Sequence, residues 1–461
     1  MRMIPGARPG LLLTCLMLVS LIAAPAWANP VPVAPGSASA ASFLPASNCG
    51  CHGVLVGEWG ESMHGKALED PIFKTKVAEA DAATGGKIGP FCEKCHGPIA
   101  VMTGEADKNV ADMSPEAAQS IGCMFCHQVV GNSEPLGNVS QLLEPDVTRR
   151  AQLENPQAPH PAVYSPLHAT SAICGGCHNV NHPINGMHLE STYREWAESP
   201  QAKAGTQCQD CHMSMKPGQI GPSTGTAAPG GPEHPNIYQM TFAGAQVALG
   251  NAERATQLLQ SAATVEMDAP KVVKPGEDAS VTVKITNSGA GHYLPTGLTE
   301  VREMWLDVSV VDAAGKSTSL GEHKFGTVLK DAAGKYPAEL WDAVAVQSDD
   351  RIPPLQSVTH SYKVALPSGT DAGKLKAQLL YRSVPEELAS KAGVKNPTTV
   401  MASAEQPVFS SSEAEKAAAE TTKETPSAPN VWLLGGAGVV ILLLLGAGIF
   451  WIGRRSAAGS K

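Results

Sequence analysis

The chain is 461 residues long and carries a formal net charge of −9, so it has room for two or three domains. No basic patch stands out, and nucleic acid is therefore not among the expected partners. Aromatic residues make up only 5% of the chain and charged residues 17%, and a chain this poor in large apolar side chains needs another source of core.

Residues 1–28 read as a secretory signal. Arg2 and Arg8 precede an apolar stretch at 11–23, and Ala26-Trp27-Ala28 offers small residues for cleavage before Asn29. Cys15 lies in that stretch and would be discarded with it. The ten remaining cysteines fall in five close pairs, each followed at once by histidine. They are "CGCH" (Cys49, Cys51, His52), "CEKCH" (Cys92, Cys95, His96), "CMFCH" (Cys123, Cys126, His127), "CGGCH" (Cys174, Cys177, His178) and "CQDCH" (Cys208, Cys211, His212).

In an exported chain, paired cysteines suggest disulfides, and CxxC pairs also build zinc ribbons. Neither accounts for the adjacent histidine in every pair. Covalent haem attachment does: each thiol adds to one vinyl group, and the imidazole then lies under the iron as an axial ligand. Four intact CxxCH motifs predict a multihaem c-type cytochrome with four haem c groups at minimum, and five if "CGCH" is counted. Haems are large apolar plates and would supply the missing core. Residues 29–260 are accordingly expected to form short helices around haems, joined by irregular Pro/Gly-rich loops.

At "CGCH" three readings stay open. Gly50 could allow the backbone angles for two thioethers, Cys51 could bind alone, or the pair could be structural and haem-free. The stretch "EWGESMHGKA" (58–67) follows, and "EWAESPQAKA" (195–204) echoes it beside another motif. His64 in the first copy is a natural distal ligand, and Gln201 takes its place in the second.

Electron transfer favours iron with two protein ligands, whereas catalysis needs an open position. The candidate distal ligands are His64, His168 (with His160 its local competitor), His182, His188, His234 and His292. A site at Gln201 would be the natural open one. His323 and His360 sit in strand-like surroundings and are expected to be ordinary, and Met102, Met187 and Met213 read as gap-fillers.

From 261 to 409 the pattern changes to period two: Val281, Val283, Ile285; Leu306, Val308, Val310; Leu375, Ala377, Leu379, Tyr381. "DAAGK" occurs at 312–316 and again at 331–335, as turns between strands. This predicts an antiparallel, immunoglobulin-like β-sandwich, serving either as spacer and docking surface or as a lid that brings His292 to a haem. Residues 410–430 read as a flexible polar linker. Residues 431–453 are uncharged and long enough for one transmembrane helix, and Arg454, Arg455 and Lys461 follow in a cytoplasmic tail at 454–461. Gly-Gly early in that stretch with Arg-Arg after it also resembles a sorting signal that is cut away. The expected architecture is thus α+β and multidomain, anchored in the cytoplasmic membrane with the haem and β domains on the periplasmic side.

The motifs resemble the multihaem cytochromes c related to the tetrahaem electron carrier of nitrifying bacteria. The likeness rests on Trp59, Ser62 and His64, on "FCEKCHGPIA" from Phe91, on "HATSAICGGCH" from His168 and on "EWAESPQAKAGTQCQDCHM" from Glu195, and covers about 47–240. "GHYLPTG" at 291–297 also looks like the longer, membrane-linked members. The resemblance implies an electron-transfer protein working between a quinol-oxidising complex or another cytochrome and an exported redox partner, as in anaerobic respiration. Two alternatives remain: a haem-based reductase of small nitrogen or sulfur compounds, and a subunit of a larger respiratory complex. A net negative chain would favour basic docking partners.

Overall fold

A computed structural model describes residues 29–417, apart from 215–217, 275, 276, 278, 365, 367–369 and 413. The signal-like segment, the membrane-span candidate and its tail lie outside the described residues. Among the described residues, no helix is long and apolar enough to cross a membrane.

The N-terminal region is built from short pieces. Its longest helix, Pro71–Thr84, has 14 residues. Asp70 caps it by accepting from the Ile72 N–H, Pro71 sets the first turn, and Gly85 at φ +66° ends it. Three motifs lie within helical turns, Gly89–His96, Cys123–His127 and Cys208–His212, and "CGGCH" begins on Ala172–Gly175 and runs past its end. "CGCH" instead ends the 3-10 segment Ala46–His52. The strands here are brief, as in the pairs Val180–Asn181 with His188–Glu190 and Ser223–Thr226 with Glu233–Ile237. A small apolar cluster around Phe43, Ile99, Met102, Met124 and Leu143 carries Cys95, Cys126 and Cys177 on its surface.

The two echoed stretches fold alike. Helix Gly53–Glu61 breaks at Ser62, whose hydroxyl accepts from Gly65 N–H to cap Met63–Lys66. Helix Thr192–Ala197 gives way to Pro200–Lys203, capped by the Ser199 hydroxyl accepting from Ala202 N–H. Each tryptophan donates its indole N–H to a backbone carbonyl at 2.9 Å, Trp59 to Ile121 and Trp196 to Thr206. The sequence echo is therefore a structural repeat.

The C-terminal region is β-rich. One antiparallel sheet orders Thr264–Asp268, Ala279–Thr286 and Ser357–Val364; the other orders Ser317–Phe325, Glu303–Asp312, Ala372–Arg382 and Thr399–Phe409. Their inward residues share one core, with Val281, Val283, Ile285, Leu306, Val308, Val310, Leu375, Ala377 and Leu379 at 0% exposure. The period-two pattern is thus read out directly as burial. Both "DAAGK" stretches close the same turn: the Asp312 and Asp331 carboxylates accept from N–H groups two and four residues on, and Gly315 and Gly334 adopt φ +82° and +84°. Helix Ala252–Ala262 precedes the first strand and buries Leu259 in the same core.

Truncating Leu379 to Ala should cost about 2–5 kcal/mol, whereas Thr282→Ala on the outer face should cost little. Urea denaturation followed by circular dichroism measures both. An unchanged midpoint for the Leu379 variant would contradict a core shared by the two sheets.

Candidate haem-binding sites

All ten motif cysteines are free thiols. Among the described residues, no three His, Cys, Asp or Glu side chains converge to hold a metal ion by themselves, as a zinc ribbon would require. Thiols of different motifs instead lie beside one another. Cys49 is next to Cys123, Cys95 to Cys177 and Cys174 to Cys208, with Cys126 near Cys177. The "CGGCH" motif therefore sits at a junction with three others around it.

The decisive geometry is a set of opposed imidazoles. His52 faces His160 with ring centroids 6.3 Å apart, His178 faces His64 at 6.3 Å, His127 faces His168 at 6.1 Å, and His212 faces His292 at 6.2 Å. Two metal–nitrogen bonds of about 2.0–2.1 Å each, plus two ring radii, put centroids about 6 Å apart across one ion. Directly stacked rings sit much closer, as His96 does to Phe73 at 3.8 Å. Four motif histidines thus each meet one partner at iron-spanning distance. His96 meets a phenyl ring, which cannot ligate.

The remaining ring nitrogens are held by the fold, as iron-bound histidines usually are. Nδ1 of His52 pairs with the Ala227 carbonyl at 2.8 Å, His127 with Arg150 at 2.8 Å, His212 with Ala243 at 2.5 Å and His292 with Tyr293 at 2.9 Å. His178 Nδ1 meets the Glu190 carboxylate at 3.2 Å. Nδ1 of His64 is buried without a protein partner, and His96 lies against the Ala67 backbone. His168 has Ser165 Oγ at Nδ1 and the Cys126 carbonyl at Nε2, 2.9 and 2.8 Å away, so holding iron through Nε2 would exchange the latter contact.

Burial lowers the pKa of His64 to about 3 and of His96, His168 and His212 to about 4, and also lowers His127 and His292. These imidazoles are neutral at pH 7, the form a metal accepts. For His178, burial opposes the charge, but the Glu190 carboxylate outweighs it and holds the group up to about 9. Beside Cys123, the Cys49 thiol is lowered to about 6. Thiols set in adjacent pairs, opposed imidazoles and an unpartnered buried nitrogen on His64 together fit haem c.

The other sequence candidates lie elsewhere. His182 is buried, its Nε2 3.1 Å from the Trp341 carbonyl and its Nδ1 accepting from the Ile184 N–H, so it ties a loop rather than facing a motif imidazole. His188 is exposed and bonds the Asn181 side chain. His234 lies on strand Glu233–Ile237, opposite Gly225. His160, weighed in the sequence only as a competitor of His168, faces His52 instead. Gln201 is not the open position: its amide donates to the Ala290 carbonyl at 3.3 Å, beside the "GHYLPTG" loop that brings in His292. The position without a histidine partner is His96. At "CGCH" the kink falls on Cys49, with φ −92° and ψ 29°, and Gly50 takes no positive φ.

His292 comes from the second region and its loop is clamped by Glu195 of the first. Glu195 accepts from Tyr293 N–H at 3.1 Å, from the Thr296 hydroxyl at 2.7 Å and from the Arg351 guanidinium at 2.5 Å. The side chains of Glu195 and Arg351 are 6% and 12% exposed, so the Glu195 charge depends on Arg351, whose guanidinium also pairs with Asp349 at 2.8 Å.

Residues 48–128 match the family model described as "Cytochrome c554 and c-prime". No curated protein matches the chain. Among solved structures, a penta-haem cytochrome c552 from Thermochromatium tepidum is similar over 82% of this chain and 100% of that one, with TM-score 0.59 and 20% identity. A CARDB domain from Pyrococcus furiosus covers 32% of this chain and 85% of that one, with TM-score 0.18 and 14% identity. The motifs, the family match and the shared fold support a multihaem c-type cytochrome. Five attachment motifs are compatible with five haems.

His160→Ala and His292→Ala should each convert one low-spin site to high-spin while haem content stays constant. Low-temperature EPR with haem quantification on the same sample checks this. An unaltered low-spin spectrum in either variant would remove that histidine as a ligand.

Proposed function

We propose that this protein is an exported, membrane-anchored multihaem cytochrome c that carries electrons between a quinol-oxidising complex or cytochrome and an exported redox partner. It would be related to the tetrahaem carrier of nitrifying bacteria. The observation that carries the reading is the set of four opposed imidazole pairs at 6.1–6.3 Å. Haem c, when bound, supplies reversible one-electron transfer at iron without a ligand having to leave. The chain's part is to set imidazoles in opposed pairs, with His64, His127, His168, His212 and His292 kept neutral by burial, and to bring the motifs side by side. Adjacent thiols of Cys49 and Cys123, Cys126 and Cys177, Cys95 and Cys177, and Cys174 and Cys208 support a continuous route across all five motifs. Anchoring through 431–453, with the described residues on the periplasmic side, follows from the sequence reading and is part of the proposal.

A second reading, reduction of a small nitrogen or sulfur compound, is favoured by one observation. His96 faces Phe73 rather than a histidine among the described residues, so one coordination position could stay available.

The haem-loaded protein should give four low-spin sites and one high-spin site, and its ferrous form should bind one carbon monoxide per chain. Stopped-flow mixing of the reduced protein should show faster oxidation by a ferric c-type cytochrome than by nitrite or hydroxylamine. The reverse order would replace the carrier with a reductase. Truncation after Ser410 should release the protein from membranes; retention there would overturn the proposed anchor.

A further inference from the structure

The five motif histidines differ in what their Nδ1 atoms meet. Three face neutral backbone carbonyls, those of Ala227, Arg150 and Ala243. His96 lies against the Ala67 backbone. Only His178 faces a carboxylate, Glu190 Oε1 at 3.2 Å. That carboxylate is a built feature. Glu190 ends the strand His188–Glu190, whose pairing with Val180–Asn181 turns the chain back onto the motif twelve residues earlier. Its side chain is 15% exposed. The Thr192 hydroxyl donates to the same Oε1 at 3.2 Å and lies 2.9 Å from the Thr296 hydroxyl of the "GHYLPTG" loop. The second region thus reaches the support of the His178 ring as well as delivering His292.

A hydrogen bond to a charged acceptor is stronger than one to a carbonyl and pulls the Nδ1 proton further from the ring. The imidazole becomes a better electron donor through its other nitrogen, and such outer partners tune the potential of a bound metal. The nearby negative charge acts in the same direction by favouring the more positive, oxidised state of the iron.

We infer that Glu190 is a positioning residue that sets the haem of the "CGGCH" motif at the lowest reduction potential of the five. This rests on the haem reading above. Its location gives it a consequence: Cys174 and Cys177 adjoin Cys208, Cys95 and Cys126 of the other motifs. The junction is then the last site to hold an electron at rest, and charge collects on the branches around it. A carrier arranged in this way stores electrons at its ends and passes them across the middle only when both sides are poised.

The test is Glu190→Gln in the full haem-loaded chain, read by spectroelectrochemical titration. One midpoint potential, the lowest, should rise while the other four hold. Haem content and the number of low-spin EPR signals should not change, and the EPR position of the His64–His178 site should shift. Glu190→Asp should restore part of the difference, which a merely structural role would not do. If Glu190→Gln loads haem poorly, Thr192→Val tests the same support, with a smaller rise in the same potential. Unchanged potentials in both variants would overturn the inference, and so would a uniform shift of all five. Slow electron exchange with a ferric cytochrome alongside the expected potential shift would defeat the carrier reading but leave the role of Glu190 standing.

Discussion

The constraint on which this architecture turns is that a second imidazole must lie across from a motif imidazole at iron-spanning distance. Thioether attachment to a short helical turn fixes the motif histidine, so the partner has to arrive from another part of the chain. His160 comes to His52, His64 to His178, His168 to His127 and His292 to His212. Each link closes a long loop and costs chain entropy. Metal binding and burial of large apolar plates would offset that cost. This explains why an N-terminal region with a modest apolar cluster and very short strands can still hold a defined fold.

The same constraint makes the β region part of the haem architecture. It supplies His292 from a loop clamped by Glu195, and its contacts continue around the molecule. Trp341 lies under the Lys76 ammonium at 4.9 Å, and its carbonyl pairs with His182. Ile72 packs with Val384, Leu388 and Ala389, while Lys391 reaches Glu79 at 3.1 Å. A buried pair such as Glu195–Arg351 adds little net stability over an apolar contact. It does fix one docking geometry, which is what ligand delivery demands.

Legibility in the sequence followed the range of the interaction. The motifs were readable because both thiols and the imidazole lie within five residues, or four at Cys49. The inner strand faces were readable because burial alternates residue by residue, and the "DAAGK" turns because each Asp side chain bonds its own loop. The distal partners are set by the tertiary fold. Proximity in sequence makes His160 a competitor of His168, whereas it faces His52, more than a hundred residues upstream. His182 reads as a distal candidate because nothing local shows the Trp341 carbonyl it meets. The echo between 58–67 and 195–204 correctly marked equivalent structure, yet equivalence of backbone did not make the Gln201 site open. There the neighbouring "GHYLPTG" loop brings a histidine from the other region.

The odd position, His96, also follows from packing. Helix Pro71–Thr84 is held by its Asp70 cap and by Ile72, which points into the cluster formed with the C-terminal helix Glu386–Ala392. The next residue is turned about 100° around the helix axis, and that residue is Phe73, laid parallel to the His96 ring at 3.8 Å. The contact that joins the two regions therefore also decides that a phenyl ring, and not an imidazole, approaches this motif. Since Cys95 lies beside Cys177, the motif that no second histidine faces among the described residues adjoins the junction directly. An incoming small molecule there would meet the carrier at its most connected point. In this fold, the step from electron carrier to reductase would require only that Phe73 yield space.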